Sequence, residues 1–218
     1  MAVEQIAPHL WHWTAPHPDW KPEARGKDGQ GWDEIVSSYA LVAEGTLILI
    51  DPQAPADEAD AARFWEALDR DVEGHGSPAI VITVFWHARS AREIADRYPG
   101  STIWRPADAP QETVEHLTSS KPYSARDELP GGIRAYEMSR LGEFVLYIPS
   151  HNAVAVGDVL LDGVRICPDS WLTNDVTRKD VADALRPLLG EEIDLILLTH
   201  GGPVTEAARE KLERALEV

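Results

Sequence analysis

The sequence predicts a mixed α/β fold in which two β-sheets form a sandwich covered by helices. Apolar runs of strand length alternate with segments whose apolar residues recur at helical spacing. The chain also divides into two β-rich halves that each end in strand–helix units. No internal repeat or linker-like stretch interrupts the 218 residues. We therefore expect a single domain over residues 1–218.

The first half opens with a predicted hairpin over residues 39–52, in which Gly45 supplies the positive φ angle of the turn. Residues 57–72 carry apolar side chains at helical spacing and predict a helix. Residues 79–86 form a nearly continuous apolar run, typical of a central strand that is covered on both faces.

Ser90 and Glu93 match the S-x-x-E capping box and indicate the start of the next helix. This pattern predicts a helix that begins after Ser90 and continues to about Tyr98. The second half contains three successive strand patterns, and Thr177 is a plausible N-cap for the helix that follows them. The remaining predicted elements are strands at 101–104, 132–138, 142–149, 152–161 and 194–199, and helices at 111–117, 177–189 and 205–216.

Composition limits the classes of function. Hydrophobic residues make up 44% of the chain, and the formal net charge is −17. Such an acidic protein repels nucleic acids and anionic membranes, so we expect a small-molecule ligand or substrate instead. The single cysteine, Cys167, excludes an internal disulfide and a cysteine metal cluster. With no signal-peptide pattern in residues 1–13, we expect a cytoplasmic protein.

Four segments are similar to segments of a known protein family. Each combines an apolar strand pattern with polar residues. They are LILIDP, which ends near Asp51; ITVFWHARSA; VAVGDVLL, which contains Asp158; and LILLTHGGPV, which contains His200. In this order they resemble the metallo-β-lactamase superfamily over nearly the whole chain. The resemblance implies a four-layer αββα sandwich, hydrolase-like chemistry, and a metal site to which Asp158 and His200 contribute.

The sequence departs from the superfamily's metal-binding motif. Counted from Thr83, the positions of the usual His, His, Asp and His ligands carry Val84, Trp86, Ala88 and Arg89. The histidine of the third-strand turn, expected near residue 139, is also missing. Because two ligands do not hold zinc at useful affinity, the dinuclear zinc site that the family implies is not expected here.

Two interpretations of the site remain open. In the first, His87, Asp158 and His200 bind one divalent ion (zinc, manganese or iron), with His17 as a fourth ligand. The reaction would then be hydrolysis of a small ester, thioester or amide. Alternatively, His87 packs beside Trp86 and points away from the site.

In the second interpretation no metal binds, and Arg89 pairs with Asp158. The reaction is then metal-free hydrolysis with His200 as the base, or there is none. In the latter case the protein is a non-catalytic pseudoenzyme that binds a small molecule or a protein partner in the former active-site groove.

Aromatic residues are candidates for the ligand-binding walls. Trp20, Trp86 and Trp171, together with His17, lie in segments that flank the predicted site. Cys167 follows the Gly-Asp strand closely and is either a thiol nucleophile or a small buried hydrophobe.

Overall fold

The architecture is a four-layer αββα sandwich, as the sequence predicts. The computed structural model describes residues 3–26, 31–117, 119–125, 127–140 and 142–218. Two sheets face each other, and helices cover their outer faces. In the described part of the chain, no helix has both the length and the apolar character needed to cross a membrane.

The first sheet contains seven strands arranged in chain order. Strands β1 to β4 are antiparallel neighbours, whereas β4 to β7 run parallel to one another. The predicted hairpin is confirmed as β3 and β4, with Gly45 at a φ of 77° in its turn. The seven strands are β1 (Val3–Ala7), β2 (Leu10–Pro16), β3 (Ile35–Ala43), β4 (Thr46–Ile50), β5 (Ala79–Val81), β6 (Thr102–Pro106) and β7 (Lys121–Tyr123).

The second sheet contains four strands in the order β13-β10-β9-β8, and a separate hairpin pairs β11 with β12. Strands β10 and β13 are parallel, and the other neighbours are antiparallel. The strands are β8 (Arg134–Glu137), β9 (Phe144–Ile148), β10 (Ala153–Val156), β11 (Leu160–Leu161), β12 (Arg165–Ile166) and β13 (Leu195–Leu198).

The described residues form five α-helices, and four of them cover the sheets. Helices α1 and α2 pack on the first sheet, and α4 and α5 pack on the second. Thr177 caps α4 as predicted, in a capping box with Asp180. The helices are α1 (Glu58–His75), α2 (Ala91–Arg97), α3 (Gln111–His116), α4 (Arg178–Leu185) and α5 (Ala208–Ala215).

Alternation along the buried strands builds three apolar layers. In β4, Ile48 and Ile50 point into the core between the two sheets, whereas Leu47 and Leu49 point toward α1 and α2. Strand β10 divides in the same way between the central core and the layer under α4 and α5. Because successive strand side chains point to opposite faces, apolar runs of this kind require cover on both sides.

The predicted strand at 79–86 is shorter than expected. Strand β5 ends at Val81, and a single 3-10 turn, Phe85–Ala88, replaces its predicted end. The backbone N–H of Thr83 donates to the carboxylate of Asp51 instead of continuing the strand ladder. The apolar run therefore continues past the end of the strand, and only its first residues, Ala79–Val81, belong to β5.

The predicted Ser90 capping box does not form, although α2 does begin after Ser90. The Ser90 hydroxyl instead accepts the backbone N–H of Ala54 at 2.9 Å. The Ser90 hydroxyl therefore bonds to the distant Ala54 backbone in place of the N-terminal N–H groups of α2.

The carboxyl ends of four strands meet at one edge of the sandwich. Asp51 follows β4, Thr83 follows β5, Asp158 follows β10 and His200 follows β13. Strands β4 and β5 are parallel to each other, as are β10 and β13, so the polar residues after each pair share an edge of their sheet. The Phe144 N–H, which donates to the Thr83 carbonyl, joins the two sheets at this edge.

Candidate metal centre

Asp51 is the buried anchor of the site. Its Oδ1 atom accepts the Thr83 N–H at 2.8 Å, and its Oδ2 atom accepts the hydroxyls of Thr83 and Thr199 at 2.5 and 3.2 Å. The side chain of Asp51 is 1% exposed. With both oxygens held in this way, the carboxylate presents a fixed acceptor to its next neighbour, His87.

His87 points into the site, so the alternative that it packs away beside Trp86 is wrong. The 3-10 turn at Phe85–Ala88 brings its imidazole between two carboxylates. Its Nδ1 atom donates to Asp51 Oδ2 at 2.9 Å, and its Nε2 atom lies 3.2 Å from Asp158 Oδ1. A histidine whose second nitrogen is held by a carboxylate has the arrangement typical of metal-binding histidines.

The two oxygens of Asp158 have different surroundings. Oδ1 lies 3.2 Å from His87 Nε2 and 3.1 Å from His200 Nε2, yet it is buried without a hydrogen-bond partner. Oδ2 accepts the indole N–H of Trp86 at 2.8 Å and a guanidinium N–H of Arg140 at 3.1 Å. The side of Asp158 that faces the two histidines is therefore the side that lacks hydrogen bonds.

Arg140 is the cation beside Asp158, and the sequence analysis did not identify it. Its guanidinium also donates to Glu143 at 3.1 Å and lies 4.7 Å from the ring of Trp86. The available signal was positional, because Arg140 follows Ser139, where the superfamily's third-strand histidine was expected. An arginine at this position places a permanent positive charge beside the site, whether or not a metal ion is bound.

Arg89 does not make the hydrogen bond with Asp158 that we expected. Its Nη1 atom donates to the carbonyl oxygens of Asp51 and Ser37 at 3.1 and 3.4 Å. Its Nε and Nη2 atoms are buried and have no hydrogen-bond partner. Arg89 also has a φ of 38° and a ψ of −122°, a conformation that favours glycine. The backbone at Arg89 is therefore strained.

Glu143 fixes the loop that carries Asp158. Its side chain is fully buried, and Oε1 accepts the backbone N–H groups of Asp158 and Val159 at 2.6 and 2.8 Å. Burial and the charge of Asp158 raise the pKa of Glu143 to about 7, against the opposing effect of Arg140. A Cβ atom at Gly157 would lie 2.8 Å from Thr83 Oγ1, so glycine is required for this close approach.

The three central side chains differ in their affinity for protons. Burial and the charge of Arg89 lower the pKa of His87, but Asp51 and Asp158 outweigh them and hold it above 6.5. Burial lowers the pKa of His200 despite its contact with Asp158. Burial would raise the pKa of Asp158, but His87 and His200 hold it well below 3.8. These directions favour an ionised Asp158 and a neutral His200, and they make His87 easier to protonate than a free imidazole.

A cavity of about 510 Å³ opens over these residues. Trp32 and Trp171 flank His200, with ring centroids 5.6 and 5.9 Å from the imidazole. Trp20 does not line the cavity, although its indole N–H donates to the backbone carbonyl of Trp32. The other side chains in the lining are His17, Asp19, Trp86, His87, Arg89, Arg140, Asp158 and Ser170.

Two further candidates take no direct part in the cluster. His17 lines the cavity and packs against Trp32, but it lies outside the group of metal-binding atoms. Cys167 is fully buried, and burial together with Glu143 raises the pKa of its thiol to about 12. A thiol of this kind is a small apolar side chain and not a nucleophile.

The donor set fits one metal ion. One ligand atom from each of His87, Asp158 and His200 lies within 4.8 Å of the others, and no other such group of three occurs in the described residues. Tetrahedral zinc ligands lie about 3.3 Å apart, close to the 3.1 and 3.2 Å separations at Asp158 Oδ1. Oδ2 of Asp158 already accepts hydrogen bonds from Trp86 and Arg140, so Oδ1 is the oxygen that faces the two histidines and would bind an ion.

No protein-family model matches this chain, and no curated protein matches it. Many solved structures match the fold. A metallo-β-lactamase family protein from Thermus thermophilus is 17% identical, with a TM-score of 0.61, and the match covers 96% of this chain and 79% of that one.

Two further solved structures of metal-binding proteins also match the fold. The metallo-β-lactamase FIM-1 from Pseudomonas aeruginosa, in its mono-zinc form, is 14% identical, with a TM-score of 0.67 and coverage of 99% and 94%. The metal-soaked Flv1 flavodiiron core from Synechocystis sp. PCC6803 is 18% identical, with a TM-score of 0.66 and coverage of 99% and 60%. At these identities the likeness concerns the fold alone. The chain therefore has the metallo-β-lactamase fold.

Proposed function

We propose that this protein is a single-metal hydrolase of a small ester, thioester or amide. The observation that carries the proposal is the convergence of three metal-binding groups, in which Nε2 of His87 and Nε2 of His200 lie 3.2 and 3.1 Å from Oδ1 of Asp158. Two imidazole nitrogens and a carboxylate oxygen around one point form a two-histidine, one-carboxylate donor set, which suits a divalent ion with open positions for water and substrate. The neighbour FIM-1, which was crystallised in a mono-zinc form, supports the use of this fold with one ion.

The residues around the cluster prepare it for this role. Asp51 holds the Nδ1–H of His87, which directs Nε2 of the same ring toward Asp158. Arg140 and Trp86 hold the opposite oxygen of Asp158, so its carboxylate cannot rotate freely. When bound, a divalent ion would supply Lewis-acid polarisation of a substrate carbonyl and a lower pKa for water.

The cavity suits a small substrate. Its volume of about 510 Å³ lies in the range of small-molecule sites. Trp32 and Trp171 provide flat apolar walls on either side of His200 and reduce the access of water to its ring. Arg140 adds a positive charge at the wall formed by Trp86. These groups favour a substrate with an apolar or ring-bearing acyl part.

The test combines metal binding with turnover. Metal-depleted protein is titrated with Zn²⁺, Mn²⁺ and Fe²⁺, and small nitrophenyl esters, thioesters and amides are then assayed with and without the ion. We expect one equivalent of metal, activity that a chelator abolishes, and loss of both in His200→Ala. The matched control is His116→Ala on α3, which lies outside the cavity and should behave as wild type. Equal metal binding by wild type and His200→Ala would contradict the proposal.

A metal-free ligand-binding protein is the second candidate. It is favoured by the four N–H-bearing groups around Asp158, which can balance its charge without an ion once His87 is protonated. In that case no metal binds and no substrate is hydrolysed, but small aromatic ligands quench the fluorescence of Trp32, Trp86 and Trp171. The Trp171→Phe variant should reduce that quenching without altering the metal result.

A further inference from the structure

A second cavity lies on the outer face of the second sheet and shares no lining residue with the candidate metal centre. It has a volume of about 390 Å³ and lies between the β11–β12 hairpin, the start of α4 and the last turns of α5. Four of its nine lining residues are cations, and the remaining five are glycine or apolar. The cations are Arg165, Arg178, Lys211 and Arg214.

None of these four cations forms an ion pair with a carboxylate in the described chain. Arg165 donates only to the backbone carbonyl of Asp162, at 3.1 Å. Elsewhere the described arginines commonly pair, as Arg134 does with Glu191 and Arg209 with Glu213. The chain has 37 acidic and 20 basic residues, so a cavity whose charged side chains are all cations contrasts with the acidic composition of the protein.

The β11–β12 hairpin forms one wall of this cavity. Val164 has a φ of 54°, which is unfavourable for a β-branched residue, and its side chain is only 4% exposed. Burial of Val164 in the core beneath α4 and α5 holds this strained conformation. The next residue is Arg165, so the strained turn directs a cation to the cavity.

We propose that this cavity binds a small multivalent oxyanion of the phosphate class. Guanidinium groups form paired hydrogen bonds with phosphate oxygens, and three arginines and a lysine line one cavity here. Local cations attract an anion at short range, whereas the net charge of −17 repels an extended polyanion at long range. The combination selects a small anion over a nucleic acid or an anionic membrane.

The experiment is a calorimetric titration of the wild-type chain with inorganic pyrophosphate at low and at moderate salt. We expect saturable binding that weakens as salt rises, because the attraction is electrostatic. The double variant Arg178→Gln, Arg214→Gln should bind at least about tenfold more weakly, since each lost contact is a hydrogen bond to a charged group. An ADP arm separates two sources of the phosphate, because tighter binding of ADP than of pyrophosphate would indicate a nucleotide ligand.

The matched control removes two cations elsewhere. Arg63 and Arg70 are exposed on α1 and already pair with Asp60 and Glu66. The Arg63→Gln, Arg70→Gln variant changes the net charge equally and should bind pyrophosphate within about twofold of wild type. Equal weakening in the two double variants, or no saturable binding by wild type, would overturn the proposal.

A second measurement uses the wild-type protein, so its result does not depend on whether the variants fold. In nuclear magnetic resonance spectra of wild type, pyrophosphate should shift the backbone amide signals of Gly163 and Val164. The signals of Thr199 and His200 should stay unchanged, because those residues lie at the other site. Shifts confined to the Thr199 and His200 region would place the anion at the candidate metal centre and refute the assignment.

Discussion

His87 Nε2 lies 3.2 Å from Asp158 Oδ1, and that oxygen has no hydrogen-bond partner. The Nδ1 atom of the same ring is hydrogen-bonded to Asp51 at 2.9 Å. A single imidazole therefore joins a carboxylate at the edge of the first sheet to one at the edge of the second. A proton on His87 or a metal ion bound at its Nε2 would offset the negative charge of the carboxylates that it contacts.

Removal of His87 should destabilise the protein strongly. The His87→Ala substitution leaves two buried carboxylates without their shared partner, which should cost about 3–5 kcal/mol in the free energy of unfolding. Denaturant unfolding of metal-free protein measures this cost. The control is His75→Ala at the exposed end of α1, which should change stability by less than about 0.5 kcal/mol. Identical unfolding curves for His87→Ala and wild type would show that the buried pair contributes nothing.

The metal-free protein should lose stability as the pH rises. Because the folded pKa of His87 lies above 6.5, its stabilising contribution is complete below pH 6.5 and is lost as the pH rises through the folded value. Unfolding of wild type and His87→Gln in chelator, measured from pH 5.5 to 9, tests this. The stability difference between the two should shrink at alkaline pH, and a constant difference would contradict the prediction.

Metal affinity should show the opposite pH dependence. A metal ion must displace the proton of His87, so one-site Zn²⁺ binding should tighten as the pH rises and should release protons. Titrations at two pH values in two buffers of different ionisation enthalpy measure that release. Binding without proton release would mean that His87 is not a ligand.

Arg140 should stabilise the site more than a surface arginine does. The Arg140 side chain is only 14% exposed, and its removal takes a buried ion-pair partner away from both Asp158 and Glu143. Arg140→Ala should therefore cost about 3–5 kcal/mol in unfolding free energy. The matched control is Arg134→Ala, because the pair with Glu191 leaves 54% of the Arg134 side chain exposed. That substitution should cost no more than about 1 kcal/mol. Similar losses in both variants would show that burial of the Arg140 pairs makes no difference.

Replacement of Arg89 should reveal the strain in its backbone. Its φ of 38° and ψ of −122° suit glycine and not alanine. We therefore expect Arg89→Gly to be more stable than Arg89→Ala by about 1 kcal/mol, although alanine is normally the more stabilising residue. Thermal unfolding of the two variants side by side provides the comparison. A more stable alanine variant would show that the strained conformation relaxes when the guanidinium is removed.

Cys167 should be inert in the native protein. Burial and Glu143 raise the pKa of its thiol to about 12, so almost no thiolate exists at pH 8. We expect no reaction with a disulfide reagent at pH 8 and complete reaction after denaturation. Rapid labelling of the folded protein would show that the segment after the β11–β12 hairpin opens readily.

Sequence patterns were sufficient to predict the layers of the fold. The apolar runs in β4, β10 and β13 needed cover on both faces, and this need follows directly from the alternation of side chains along a strand. Asp158 and His200 were identified through the resemblance of their segments, VAVGDVLL and LILLTHGGPV, to the metallo-β-lactamase superfamily. Local chemistry of this kind is readable because it depends on neighbours a few residues away.

Tertiary structure alone decided which side chains meet. The orientation of His87 depends on the end of β5 at Val81, where Thr83 donates to Asp51 and not to a neighbouring strand. The choice of Arg140 over Arg89 as the partner of Asp158 depends on the approach of the loop before β9 to the end of β10. Such contacts join residues far apart in the chain, and their energies depend on burial and on exact distance. A one-dimensional pattern contains neither quantity.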